Sequence, residues 1–469
     1  MHVFNALMLH FLQLFDKNNL RKGQWSDIMR EERGKMKRLA LEELKKWKNK
    51  ANRKPLVLRG ARQVGKTWLL KEFGKTEYKN YAYVNLDGNT LLDTTFSLDF
   101  DIERIVNNIE IAAQRKITPG ETLIILDEIQ ENPRALASLK YFAENAPEYH
   151  IAVAGSLLGL ALHEGTSFPV GKVNFVDVYP MSFYEFLEAV GRDDYADIVR
   201  LGAPEDSVAL TPVLNDLLKT YFVTGGMPEV VQNYLDEGNL LQTRAVQTEI
   251  LNAYDQDFSK HAPVNVTPRI REIFDILPQQ LARENKKFIF NMIRSGARAK
   301  DYDAALLWLE DVGLAARVNR VNSAKVPLSV YADKDIFKLF LVDVGLLGAK
   351  ANLPIQTLLD GDKLFMEFKG AMAEQFVYQE LRASMDVKPF YYAADDSRGE
   401  IDFMIQDDAG KILPIEVKSG TNLSSASLNA FLKKNPEIGC AVKLSLMPYR
   451  QNEAITNLPL WMAGRIAEF

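Results

Sequence analysis

Cysteine is almost missing from this 469-residue chain, Cys440 being the single example. A disulfide framework is therefore excluded, and the five histidines are too scattered to give zinc-ligand spacing. Such a composition suits a cytosolic (cytoplasmic) protein, with Cys440 among apolar neighbours as a packing residue. A strong charge of one sign is also lacking. With 57 Lys and Arg against 62 Asp and Glu, the net charge of -5 provides no global basic field, so any nucleic-acid contact has to be a local patch. Long apolar runs are missing as well: Val3 to Phe15 is broken by Asn5, His10 and Gln13 and is too short to span a bilayer, so no membrane partner is expected. What remains is an ordinary globular composition, 47% hydrophobic and 25% charged, over a length that predicts two or three domains.

Within that composition, Gly60-Ala61-Arg62-Gln63-Val64-Gly65-Lys66-Thr67 lies between an apolar run, Pro55 to Leu58, and a helical pattern beginning near Trp68. Strand, glycine-bounded loop and helix in that order form a P-loop (Walker A), whose backbone amides wrap phosphate oxygens. Lys66 is expected to reach the β- and γ-phosphates and Thr67 to hold Mg2+. About sixty residues on, the apolar run Thr122 to Leu126 ends in Asp127-Glu128, as a Walker B strand does. Asp127 is expected to hold Mg2+ through water, and Glu128 to polarise the water that attacks the γ-phosphate. Two acids capping a buried strand is the plainer alternative, which the P-loop outweighs. Ser156, after the apolar run Ile151 to Ala154, is a candidate γ-phosphate sensor or equally a turn-capping hydroxyl. No Asn-Lys-x-Asp guanine-reading motif is found, which favours ATP.

Strands at Tyr81 to Leu86, Thr122 to Leu126, His150 to Ala154 and Lys172 to Tyr179 alternate with helices at Asp101 to Arg115 and Pro133 to Asn145. This predicts a three-layer α/β P-loop NTPase domain over 36–200. Ser182 with Glu185 three residues later predicts a capping box. Residues 201–350 read as mostly helical, with a turn imposed by Gly225-Gly226 and Pro228, a block from Pro268 to Val318 that would suit a winged helix or domain packing, and an apolar connector from Tyr331 to Gly348. Residues 351–469 read as a helix from Met366 to Ser384, strands near Pro389 to Ala393, Glu400 to Ile405 and Lys411 to Lys418, a helix near Ser424 to Lys434 and a strand at Cys440 to Leu446. Residues 1–35 form an extension, and Met36 is the expected true start because purine-rich codons for Arg30 to Lys35 would resemble a ribosome-binding site. Mass spectrometry of the native N-terminus tests this, and a peptide from Phe4 to Lys17 would refute it.

The last unit carries Glu374, Asp402, Glu416 and Lys418. Period-two alternation puts Glu416 and Lys418 on one strand face, with Asp402 one strand earlier. Converging carboxylates with a lysine can hold Mg2+ and act on a scissile phosphate, although exposed strand-end pairs are common. From Gly361 to Phe469 there are 12 Lys and Arg against 15 Asp and Glu, 12 - 15 = -3, so the unit's net field does not attract DNA or RNA. Lys369, Arg382, Lys433 and Lys434 are available for a local track.

Leu58 to Thr67, Leu126 to Gln130, Ala154 to Leu158, Tyr179 to Phe183 and Gly225 to Glu229 together resemble the bacterial and archaeal AAA+-type ATPases fused to a C-terminal domain of unknown function. The resemblance runs nearly from Met36 to the end. It implies an AAA-type ATPase, a helical middle and a C-terminal domain with a restriction-endonuclease-like α/β fold, whose nuclease pattern falls on Glu374, Asp402, Glu416 and Lys418. Gly171-Lys172 stands where some relatives have Gly-Arg, and lysine lacks the bidentate fork of an arginine finger, so either Lys172 substitutes as a point charge, another arginine serves, or turnover is slow. The resulting expectation is an ATP-driven switch acting on a nuclease-like domain. The alternatives are an ATP-regulated nuclease cutting DNA or RNA and a non-catalytic module binding nucleic acid or an unidentified protein. A homo-oligomer is a further expectation, since neighbouring subunits often complete such sites.

Overall fold

The computed structural model describes residues 36–469 apart from 157, 162–167, 284–285, 361–365, 395–398, 421–423 and 453. The N-terminal extension and Leu157 lie outside the described residues.

Leu56–Arg59 (β1), Asn80–Asn85 (β2), Thr122–Asp127 (β3), His150–Ala154 (β4) and Asn174–Asp177 (β5) form a parallel sheet in the order β2-β3-β4-β1-β5. Alternation sends Leu56, Leu58, Leu123, Ile125 and Ala152 into one core, and Val57, Ile124, Leu126, Ile151 and Val153 into another on the opposite face. Helices Ala40–Lys48 (α1) and Lys66–Glu77 (α2) pack on the first face; Thr90–Leu98 (α3), Ile102–Ala113 (α4) and Pro133–Asn145 (α5) pack on the second. The latter three start where Asn89, Asp101 and Asn132 side chains accept from Leu92 N, Arg104 N and Ala135 N at 3.1, 2.7 and 2.8 Å. This is the expected three-layer arrangement, and it sets the carboxyl ends of β3, β4 and β1 side by side.

The Ser182–Glu185 capping box forms and opens Phe183–Ala189 (α6). Asp193–Leu201 (α7), Thr211–Thr224 (α8), Pro228–Glu237 (α9), Leu240–His261 (α10) and Thr267–Ala282 (α11) follow. The helical block expected to reach Val318 stops earlier: after Ala299–Asp311 (α12), Ala315–Val321 is a strand (β6). Its buried residues, Ala315, Val318 and Val321, recur every three positions, which imitates a helix in sequence. Nor is Tyr331 to Gly348 a connector. It holds strand Ala332–Leu341 (β7), antiparallel to β6, and helix Val344–Lys350 (α13). In this segment α11, an extended run at 286–289 whose Phe288 N donates to Phe337 O at 2.8 Å, α12 and the β6–β7 hairpin follow one another.

That hairpin does not stand alone. With Phe390–Ala393 (β8), Glu400–Gln406 (β9), Ile412–Val417 (β10), Ala441–Ser445 (β11), Arg450–Gln451 (β12) and Ile455–Pro459 (β13) it forms one mixed sheet, ordered β12-β13-β11-β10-β9-β8-β6-β7. The sheet crosses position 350, where the sequence pattern divides two units. Met366–Met385 (α14) and Ala426–Lys434 (α15) flank it, and the first core runs without a break from β1 through α8, α11 and α14 to Trp461. No helix of the described residues is long and apolar enough to cross a membrane.

Candidate nucleotide-binding site

The loop leaves β1 at Gly60, whose φ is 139° and where an added Cβ would lie 2.1 Å from Val178 O, so only glycine fits. Lys66 Nζ donates to Gly60 O and Ala61 O at 2.7 and 2.8 Å. The ammonium is buried, and lost hydration pushes its pKa down to about 8 despite the pull of Glu128 and Asp127. The groups it donates to are thus neutral carbonyls, which an incoming phosphate can replace. Thr67 Oγ1 and Tyr83 OH both donate to Asp127 Oδ2, at 2.7 and 3.1 Å. A hydroxyl beside a buried carboxylate is a hard oxygen donor set that fits Mg2+.

Glu128 follows with φ 49° and ψ 46°, a left-handed conformation that costs about 1 kcal/mol for a side-chain-bearing residue. The turn aims its carboxylate back over the strand ends. There Glu128 Oε2 accepts from Gln130 Nε2 at 2.6 Å and from Ser156 Oγ at 3.4 Å. The sequence-predicted Lys66, Thr67, Asp127, Glu128 and Ser156 therefore meet at one place.

The remaining loop residues face other elements. Arg62 Nη1 donates to Asp257 Oδ1 of α10 at 2.5 Å, and Tyr254 OH donates to Arg62 O at 2.9 Å. Gln63 Nε2 reaches Glu229 Oε2 of α9 at 3.4 Å. Val64 O accepts at 2.8 Å from Arg38 Nη1, whose guanidinium also donates to Tyr179 O and to Glu185 Oε1 of the capping box. Arg38, Tyr83, Tyr254 and Asp257 were not legible in sequence: each is an ordinary residue of a helix or strand pattern. Lys172 pairs with Glu144 at 2.8 Å, and within this chain it is engaged there.

At the other end of the molecule, Glu374 and Asp402 do approach each other, but lysines stand among them. Lys338 of β7, 1% exposed, lies 2.6 Å from Glu400, 3.4 Å from Glu374 and 3.9 Å from Asp402. Lys286 also pairs with Glu374. Glu416 takes Lys418 at 2.8 Å. Burial raises the Asp402 pKa to about 7, the nearby Glu374 charge adding to it, while Val417 N donates to Asp402 Oδ2 at 2.7 Å. Among the described residues no three or more metal-ligating side chains are placed to hold an ion. The carboxylates expected to hold Mg2+, Glu374, Asp402 and Glu416, are here each paired with a lysine. Lys286 and Lys338 lie in segments read as helix and connector, so their part in this network was hidden.

Helix α14, which carries Glu374, touches every unit. Gln375 exchanges two hydrogen bonds with the Leu341 backbone, at 2.9 and 2.6 Å. Gln379 Nε2 donates to Tyr221 OH of α8 at 2.8 Å. Glu380 Oε1 accepts from Phe183 N of α6 at 2.8 Å, and burial pushes its pKa up to about 8. Asp343 accepts from Gly226 N at 2.6 Å, and a Cβ at Gly225, whose φ is 70°, would fall 2.1 Å from Asp343 Oδ1.

Residues 52–187 match the AAA domain family, 215–357 match a domain of unknown function (DUF8612), and 369–463 match another (DUF4143). No curated protein matches the chain. Among solved structures, the Walker-type ATPase PABY2304 of Pyrococcus abyssi is 16% identical over 66% of this chain and 94% of its own, with a TM-score of 0.43. The Orc1 protein of Aeropyrum pernix, solved with DNA, is 12% identical over 68% and 93%, at 0.26. Cdc6p from Pyrobaculum aerophilum is 13% identical over 68% and 93%, at 0.24. Scores this low leave the assignment to the sequence match and the site geometry. On these, residues 52–187 carry an AAA-type domain with the geometry of a P-loop nucleotide site.

Proposed function

We propose that this protein is a Mg2+-dependent ATPase in which the nucleotide switches the middle and C-terminal units between two states. The observation that carries this reading is that the phosphate-binding loop is itself held by the middle unit, Arg62 by Tyr254 and Asp257 of α10 and Gln63 by Glu229 of α9, and that α14 of the C-terminal unit is bonded in turn to α8 of that unit. A ligand that reshapes the loop meets these contacts directly, and it shifts the two states only as far as it binds them differently.

In the reaction, Lys66 exchanges its carbonyl partners for β/γ-phosphate oxygens. Thr67 and Asp127 would hold Mg2+, which when bound neutralises charge on those oxygens. Glu128 leaves Gln130 to orient the attacking water, and Ser156 senses the γ-phosphate. Lys172, a point charge at the expected finger position, is the residue that a homo-oligomer would present to its neighbour.

The test is Mg2+-dependent ATP hydrolysis by wild type and Glu128→Gln, with and without single- and double-stranded DNA, the DNA being monitored for cuts. Wild-type turnover lost in the variant supports the ATPase; equal turnover refutes the role of Glu128. DNA stimulation places the partner on nucleic acid, and indifference to DNA points to a protein partner. Unchanged protease sensitivity near Gly225 and Asp343 with and without ATP would refute the switch.

A second reading is a restriction-endonuclease-like nuclease using Glu374, Asp402, Glu416 and Lys418, favoured by the order of α14, β9 and β10 and by the approach of Asp402 to Glu374. It requires Lys286 and Lys338 to withdraw. Mg2+-dependent cleavage abolished by Asp402→Ala supports it; DNA binding retained without cleavage supports a non-catalytic module instead. A cytoplasmic setting is part of the same proposal, from the single cysteine.

A further inference from the structure

A cleft of about 570 Å³ opens between the first unit and the eight-stranded sheet, a size typical of small-molecule sites. One wall is the carboxyl ends of β1 and β5, with Arg59 and Gly60. The other is β6, β7 and the entry to β8, with Arg317, Lys334 and Lys388, and Arg382 of α14 joins the lining. Lys66, Thr67, Asp127 and Glu128 do not line it, so it is separate from the triphosphate site. The two share Gly60, whose carbonyl accepts from Lys66.

Five cations line the cleft against three carboxylates, Asp177, Glu310 and Asp311, a surplus of 5 - 3 = 2 on a chain whose net charge is -5. The arginines are already fixed. Arg59 Nε and Nη2 each donate to Asp177 at 2.8 Å, Arg317 donates to Glu310 at 2.9 and 2.5 Å, and Arg382 lies 3.3 Å from Asp386. Lys334 and Lys388 are exposed and have no carboxylate partner among the described residues. Beside them, the Arg382 guanidinium is engaged with Tyr179, lying 5.2 Å from its ring centroid and donating to its hydroxyl, so the lysines are the cations left for a ligand.

We propose that this cleft binds a phosphate-bearing ligand of nucleotide chemistry, with Lys334 and Lys388 as its phosphate contacts, at a second site that touches the P-loop through Gly60. Free polyphosphate and the end of a single strand share this chemistry. The site goes beyond the ATPase reading, and its binding test does not require turnover.

The test uses the full chain saturated with Mg-ADP. Binding of a fluorescein-labelled twelve-nucleotide thymidine strand is read by anisotropy and that of inorganic tripolyphosphate by calorimetry. Wild type is expected to bind at least one probe, and Lys334→Glu with Lys388→Glu to weaken it by about tenfold per lysine. Binding of the strand alone, or of tripolyphosphate alone, supports the site and identifies the source. Three results overturn it: neither probe binding wild type, unchanged binding by Lys334→Glu with Lys388→Glu, or equal weakening by the remote exposed pair Lys433→Glu with Lys434→Glu. Unchanged thermal melting of both double variants shows that folding is not the cause.

Discussion

The P-loop site and the α14 carboxylate network are built from the same residue types, acids and lysine, yet they hold their charges in opposite ways. Lys66 rests on two backbone carbonyls, and Asp127 accepts from two neutral hydroxyls. Those partners are replaceable by a phosphate and a cation. In the network, Lys338 is ringed by Glu374, Glu400 and Asp402, with Lys286 on Glu374. Its charges are already matched to one another. Reactivity thus depends on which charges remain open to a ligand, not on the presence of an acid and lysine pattern.

The largest separation between the two regions is expected in turnover. Glu128→Gln should lower ATP hydrolysis by about 10²–10⁴-fold, while Asp402→Asn should leave it within about twofold, since it neither touches the P-loop nor removes the acceptor for Val417 N. Comparable losses in both would erase the distinction.

Stability should divide them the other way. Lys338→Met leaves three buried or half-buried carboxylates without their common partner, at a cost of about 3–5 kcal/mol. Urea denaturation reads this, and partial recovery in Lys338→Met with Glu374→Gln would identify charge rather than packing as the cause.

A smaller effect concerns Glu380, between α14 and α6. Its folded pKa of about 8 lies above its unfolded value, so the stability it contributes is complete below about pH 4.5 and is lost as pH rises through 8. Asp343, raised by burial to about 6, acts in the same direction. The urea midpoint should fall between pH 5 and 8.5, and Glu380→Gln should remove roughly 2–3 kcal/mol of that fall. An identical pH profile in the variant would contradict the burial argument.

The smallest effect tests the open character of the P-loop. Phosphates favour the charged form of Lys66, whose free-site pKa is about 8, so ATP binding takes up a proton above that pH. Affinity should weaken toward tenfold per pH unit above 8. A flat profile from pH 7 to 9.5 would show Lys66 fully charged before the nucleotide arrives.

Much of the first unit was legible because its signals are local. β1, β3 and β4 are apolar runs, the loop's glycines are tied to one geometry, and the Ser182–Glu185 cap spans three residues. The large sheet was not legible at β6 and β7. Ala315, Val318 and Val321 are spaced like a helix face, and Lys338 puts a charge in the interior of a strand, acceptable only because distant carboxylates meet it. Strand β13 went unread as well, its pairing with β11 being settled across the sheet.

The sequence by itself determined the order of strand, loop and helix, the Lys66, Thr67, Asp127 and Glu128 set, and the absence of disulfides and long apolar spans, because these depend on residue type and short spacing. Tertiary structure alone decided that Arg38 and α10 hold the loop, that one sheet joins β6–β7 to β8–β13, and that Lys286 and Lys338 occupy the acidic site. Those outcomes depend on desolvated charges finding partners far away in the chain, and no local pattern encodes where such a partner will stand.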